Sequence, residues 1–148
     1  MAHELKRIAG DLRSDGTLRD FYIRDANRMD WDAVLKRVSR NWQPHRFSVN
    51  GEAQELPLSF EMIERLRASA NACLGVQVAD AFVNCHFFWD GEIEFEFRPE
   101  DFRTAERWAA LCGFFQDMVD AVGKSGIVTH ECRQYAVIDR FEPRLRAQ

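Results

Sequence analysis

The sequence predicts an α+β fold: a mostly antiparallel sheet of six to eight strands, with helices mainly on one face. Three observations carry that prediction. Turn signals recur at Ser14-Asp15-Gly16, Asn50-Gly51 and Asp90-Gly91, between apolar runs of strand length. Asx-Gly in that setting is a strong hairpin signal, because glycine accepts a positive φ without a Cβ clash. Each signal is followed by an apolar stripe of helical period. The segment Glu92-Ile93-Glu94-Phe95-Glu96-Phe97 alternates strictly, as a strand with one buried face does. Together they read as three successive ββα units.

In the first unit, Glu4–Arg13 pairs with Thr17–Arg24 and a helix runs over Trp31–Arg40. Trp31, Val34, Leu35 and Val38 fall at i, i+3, i+4 and i+7, one buried face. Asp30 is placed to cap the helix start, and Trp42-Gln43-Pro44 ends it. The second unit pairs His45–Val49 with Glu52–Leu56. Pro57 stops the strand, and Ser59 caps a helix over Phe60–Ala70. Cys73–Val78 is a candidate extra strand. In the third unit, Ala81–Trp89 turns into Glu92–Arg98, and a long helix runs from Asp101 to Val122. That helix carries Trp108, Leu111, Cys112, Phe115, Val119 and Val122 on one face, with Gly123 as its left-handed stop. Ile127–Thr129 and Tyr135–Phe141 close the sheet. The whole chain, 1–148, reads as one domain with a frayed tail over 142–148.

Burial selects the register of the third hairpin. A three-residue loop, Trp89-Asp90-Gly91, puts Phe87, Cys85 and Val83 across from Ile93, Phe95 and Phe97. The opposite face then pairs Phe88 with Glu92, His86 with Glu94 and Asn84 with Glu96. A two-residue loop would instead put Asn84 and His86 into the apolar face and leave Val83, Cys85, Phe87 and Trp89 beside the glutamates. The expected core is therefore Val34, Leu35, Phe87, Phe95, Phe97, Trp108, Leu111, Phe115 and Val119.

Composition excludes several classes. Hydrophobic residues make up 46 % and charged residues 30 %, ordinary globular usage. No stretch approaches the roughly 20 apolar residues of a membrane helix. Met1–Gly10 has no apolar signal core, which sets the expectation of a cytoplasmic protein with reduced thiols at Cys73, Cys85, Cys112 and Cys132. Charge is uneven. Residues 1–49 hold 10 basic against 7 acidic side chains, residues 50–101 hold 3 against 11, and residues 102–148 hold 7 against 6. The acidic middle argues against a nucleic-acid partner, whose phosphates demand cations. The alternating charges of the first third, such as Arg19-Asp20, read as a solvated face.

Chemical motifs are sparse. There is no P-loop, dinucleotide fingerprint or nucleophile elbow. His130 and Cys132, at i and i+2, could share a strand face, but two residues with distant helpers fall short of the three or four converging ligands zinc needs. No metal or cofactor is expected. Cys85 and His86 are adjacent on a strand and point to opposite faces, so they form no catalytic pair. Trp31 and Trp108 read as core, Trp42 and Trp89 as loop residues.

The most informative surface is the sheet face opposite the core: His86, Asn84 and Phe88 beside Glu92, Glu94 and Glu96. Glutamates alternate along one strand face about 6.5–7 Å apart. Such a ladder is either a solvated, aggregation-resistant surface or a contact for cations. The expectation is a small interaction module, of the inhibitor or immunity type, whose acidic and aromatic face meets a basic protein or a second copy. The alternative is a small enzyme with Glu94 and His86 as acid and base, or a small-ligand binder between sheet and helix. No catalytic residue is assigned.

Overall fold

The alternation of Glu92–Phe97 makes that segment a strand inside the sheet, with a neighbour on each side. The computed structural model describes residues 4–144. In chain order the elements are α1 (Leu5–Ile8), β1 (Arg19–Arg24), α2 (Arg28–Asn41), β2 (His45–Val49), β3 (Glu52–Gln54), α3 (Phe60–Arg67), β4 (Ala72–Val78) and β5 (Ala81–Cys85). They continue with β6 (Glu92–Phe97), a 3-10 turn (Pro99–Phe102), α4 (Ala105–Val122), β7 (Gly126–His130) and β8 (Arg133–Phe141). One antiparallel sheet takes the order β3-β2-β4-β5-β6-β1-β7-β8. The fold class is the α+β arrangement expected.

Helices cover the sheet face that carries Phe21, Phe95 and Phe97. Phe21 stacks on Phe115 of α4 with centroids 4.1 Å apart, and Phe95 meets Phe114 edge-on at 5.2 Å. Trp31 of α2 lies over Phe60 of α3 and beside Phe87. All nine side chains expected in the core are buried. Helix ends follow local chemistry. Asn27 and Asp30 form a reciprocal capping box on α2, so Asn27 is the cap and Asp30 its third-residue partner. Ser59 caps α3 as expected. Thr104 caps α4, whose first residue, Ala105, lies four residues inside the expected start, because Pro99–Phe102 forms its own turn. Gly123 ends α4 at φ 75°.

The first unit departs from expectation. Glu4–Arg13 is no strand: Leu5, Ile8 and Leu12 are spaced for a helical face, and Ile8 and Leu12 are buried. Asp15-Gly16 is not a hairpin loop either. The Asp15 carboxylate accepts from both the backbone and the hydroxyl of Thr17, a local turn. β1 instead inserts between β6 and β7. What holds the segment is Arg19, 1 % exposed, whose guanidinium donates to the carbonyls of Asp11 and Arg13 and to Asp15.

The third hairpin has the expected faces and a different turn. Asn84 pairs with Glu96, and Val83, Cys85, Phe87, Ile93, Phe95 and Phe97 are all buried. But β5 ends at Cys85, and Phe87 adopts φ 56°. Gly91 is not left-handed. The Trp89 ring lies where a Gly91 side chain would be, which is why glycine is needed there. The tail also begins tied down: Gln116 donates to the carbonyl of Glu142, and Arg144 to Asp120. Residues 145–148 of the expected frayed tail lie outside the described residues.

Phe95→Ala removes a ring with no exposure and should lower stability by roughly 3–5 kcal/mol in chemical denaturation. The four cysteines are free. Thiol titration of denatured protein prepared without reductant should find all four, and the native protein should react first at exposed Cys132. Buried Cys112, its thiol pushed up to about 12 by desolvation, should stay inert.

Candidate functional site

The face opposite the helices is built by β6 and its neighbours. Cross-strand register sets Asp20, Tyr22 and Arg24 of β1 opposite Glu96, Glu94 and Glu92 of β6. On the far side of β1, Thr129 and Ile127 of β7 sit opposite Asp20 and Tyr22. Two register shifts near Thr129 mark bulges in the β7–β8 pairing. Bulges bend a ribbon, and this one brings its tip over the open face. The backbone N–H of Cys132 donates to Asp20 Oδ2 at 2.8 Å, and Gln134 Nε2 donates to Glu92 Oε2 at 2.9 Å. From the same turn, Glu131 accepts the N–H of Leu18 at 3.2 Å. Under this cover Asp20 is 2 % exposed and Tyr22 4 %.

The result is a row of carboxylates at graded depth. Asp20 is the deepest, and the Tyr22 hydroxyl donates to it at 3.0 Å. Burial raises its pKa against the two donors that stabilise its charge, and Glu96 and Glu131 add to the rise. Glu94 is pushed up to about 7, by burial first and then by the charges of Asp20, Glu92 and Glu96. The Tyr22 hydroxyl beside it offsets part of that rise. The Tyr22 phenol is raised by burial and by Asp20 and Glu94. Glu96 meets His86 Nε2 at 2.7 Å. Among the described residues, His86, on Glu96, is the one basic side chain bonded to any of the four carboxylates Asp20, Glu92, Glu94 and Glu96.

Of the six residues read as the site, Asn84, His86, Glu92, Glu94 and Glu96 share this region. The pairing of His86 with Glu94 does not occur. With β5 ending at Cys85, the imidazole swings to Glu96 instead. Phe88 leaves the strand, 57 % exposed, and stands 5.6 Å from the His86 ring. Trp89 beside it is equally exposed. Two clefts flank the row. One of about 560 Å³ takes in Asn84, Glu96, Arg98 and Arg107. The other, about 460 Å³, takes in Ser48, Cys73, Arg67, His86 and Phe88.

Sequence reading missed Asp20, Tyr22 and the Cys132 backbone. The signal was present in the alternation Asp20-Phe21-Tyr22, the same pattern as in β6. His130 and Cys132 do not converge. His130 Nε2 meets Asp11 at 3.1 Å on the helix side of the sheet, while Cys132 turns at φ 55° above Asp20. Among the described residues no group of three His, Cys, Asp or Glu side chains is arranged to hold a metal ion, and no helix is long and apolar enough to cross a membrane. The face can take up a proton near neutrality and accept cationic groups. No family model, curated protein or solved structure matches the chain.

The raised carboxyl of Glu94 sets a pH dependence. Between about 4.5 and about 7 the folded state holds a proton that the unfolded state has lost. Stability therefore falls as pH rises through that window, and levels off above it. Glu94→Gln should stabilise the protein by roughly 1–2 kcal/mol at pH 8 after allowance for solvent screening. The gain should vanish below pH 4.5, where both side chains are neutral. Urea denaturation of both proteins across the pH range checks this.

Proposed function

We propose that the chain is a small protein-interaction module of the inhibitor or immunity type, and that its acidic sheet face takes a basic partner. One observation carries the reading. Asp20 and Glu96 stand directly opposite on adjacent strands, with Glu94 alongside. Like charges in that position destabilise a sheet. Here the nearest relief is one imidazole on Glu96 and neutral donors on Asp20. A lysine or arginine from a partner would relieve the repulsion and draw Glu94 back toward an ordinary carboxylate, releasing a proton as it binds. Phe88 and Trp89 at the rim offer apolar contact beside the charge, the residue types that anchor interfaces. A cytoplasmic setting accords with the four free thiols.

The enzyme reading has one observation in its favour: Glu94, near 7 and beside Tyr22, is tuned for proton transfer at neutral pH. In that reading Glu94 is the acid–base residue with Tyr22, not His86, as its neighbour. Glu94→Gln would then abolish turnover and leave substrate binding largely intact.

An oligo-arginine peptide tests the interaction reading. Glu94→Lys should weaken it about tenfold at low salt, mainly through slower association, and the loss should shrink as salt rises. Glu61→Lys, on the exposed face of α3, changes net charge equally and should have a much smaller effect. Equal losses from the two substitutions would reduce the face to nonspecific attraction by a negatively charged protein.

A further inference from the structure

We propose that the cleft between β2, β4 and His86 hydrolyses small anionic esters, with Cys73 as nucleophile, His86 as its base and Arg67 as anchor for the substrate's negative group. The cleft measures about 460 Å³, within the roughly 300–1,000 Å³ of small-ligand sites. It opens on the β2–β4 side of His86, and the acidic row lies on the β6–β1 side. The two places share the His86–Glu96 pair, and the cleft needs neither a partner protein nor a proton on Glu94.

Strand register gathers the reacting groups. Ser48 of β2 stands opposite Cys73 of β4, and Leu74 of β4 opposite Cys85 of β5. Leu74 and Cys85 point into the core. Their chain neighbours Cys73 and His86 therefore take the open face, one rung further on, and both line the cleft with Ser48. His86 Nε2 meets Glu96 at 2.7 Å. A carboxylate accepts such a bond, so Nε2 carries the hydrogen and Nδ1 keeps its lone pair. A thiol, a free imidazole nitrogen and a carboxylate that orients the ring are the parts of an activated nucleophile. No hydrogen bond joins thiol and imidazole in the free protein. Catalytic hydrogen bonds of this kind are often long without substrate and tighten when it docks.

Burial first, and then the Glu96 charge, raise the Cys73 thiol, and Arg46 offsets part of that rise. The resting group is a thiol, so the imidazole takes its proton as attack begins. Sγ bonds the acyl carbon, negative charge moves to the carbonyl oxygen, and the proton passes to Nδ1. The bond from carbon to the alcohol oxygen then breaks, and that oxygen takes the proton. Water attacks the thioester and gives a proton to Nδ1; the S–C bond breaks, and the sulfur recovers the proton as the acid leaves. The Ser48 hydroxyl has no hydrogen-bond partner among the described residues and can donate to the charged oxygen. Arg67 donates to the Phe88 carbonyl at 3.2 Å, and no carboxylate pairs with it among the described residues. Its other donors can hold a substrate carboxylate. The Phe88 ring supplies an apolar wall.

Mono(4-nitrophenyl) glutarate, an activated ester with a free carboxylate, is the probe, mixed with the whole protein. Nitrophenolate should appear in a burst equal to the protein present, followed by slower turnover. Peptide mass mapping of the trapped intermediate should place the acyl group on Cys73, although a general thiol reagent meets exposed Cys132 first. Cys73→Ser, close in size and so still folded, should lose the burst. His86→Gln should slow acylation about a hundredfold, and added imidazole should restore part of the rate. Glu96 is a positioning residue: Glu96→Gln should lower kcat and leave KM unchanged. Arg67→Gln should raise KM for the glutarate ester about tenfold and leave 4-nitrophenyl acetate unaffected. Acylation of Cys132 alone, a burst that survives Cys73→Ser, or a rate no faster than that of free cysteine each overturns the proposal.

Discussion

The two-sidedness of this molecule depends on the pleat of β6. Its six residues present Ile93, Phe95 and Phe97 to the helices and Glu92, Glu94 and Glu96 to the opposite face. Burying each aromatic ring is worth roughly 1.5–3 kcal/mol. Shifting the strand by one residue would forfeit those rings and bury three carboxylates. β6 therefore cannot move to relieve crowding among its glutamates. Its neighbours are locked in turn: Phe95 and Phe97 pack on Phe114, Phe115 and Phe102, so β6 and α4 fix each other. The acidic row inherits its rigidity from the core behind it.

Elements whose signals are local could be read from the chain. The turn at Asn50-Gly51 has both residues at positive φ, and β2 has the expected limits. Ser59 and Gly123 act where their chemistry says they should. β4 alternates too, with Ala72, Leu74, Val76 and Val78 buried and Cys73 and Gln77 half-buried, so the candidate strand over Cys73–Val78 also carries a local signal. The N-terminal segment went wrong. Leu5, Ile8 and Leu12 have helical spacing, but Asp15-Gly16 mimics a hairpin loop. What decides between them is Arg19, gathering the carbonyls of Asp11 and Arg13. That is a tertiary bond by a residue whose alternating charge context resembles a solvated surface.

The site divides along the same line. Alternation within β6 puts three glutamates together, and the burial argument assigns them the correct face. Strand order is not written locally. That β1 lies beside β6, across a sequence separation of about seventy residues, is set by Phe21 stacking on Phe115. It brings Asp20 and Tyr22 to the row. The His86 contact needed a further non-local fact: β5 stops at Cys85, because Phe87 turns to reach Trp31 and Phe47. An ideal hairpin would have placed the imidazole one residue pair away, on Glu94.

The bulged β7–β8 ribbon connects stability to the character of this face. β8 is a sheet edge, and an edge of nine residues is open to pairing with other chains. The bulges near Thr129 make its register irregular, which blunts that hazard. The same bend carries the Cys132 N–H onto Asp20 and Gln134 onto Glu92. Two of the four carboxylates thus gain donors from the ribbon, and Glu96 gains His86. Glu94, midway along the row, lies beside Tyr22, whose proton goes to Asp20, and takes the repulsion of the other three. The unbalanced charge is concentrated on one half-buried side chain that the core holds in place. That is where a cation, or a proton, gains most by arriving.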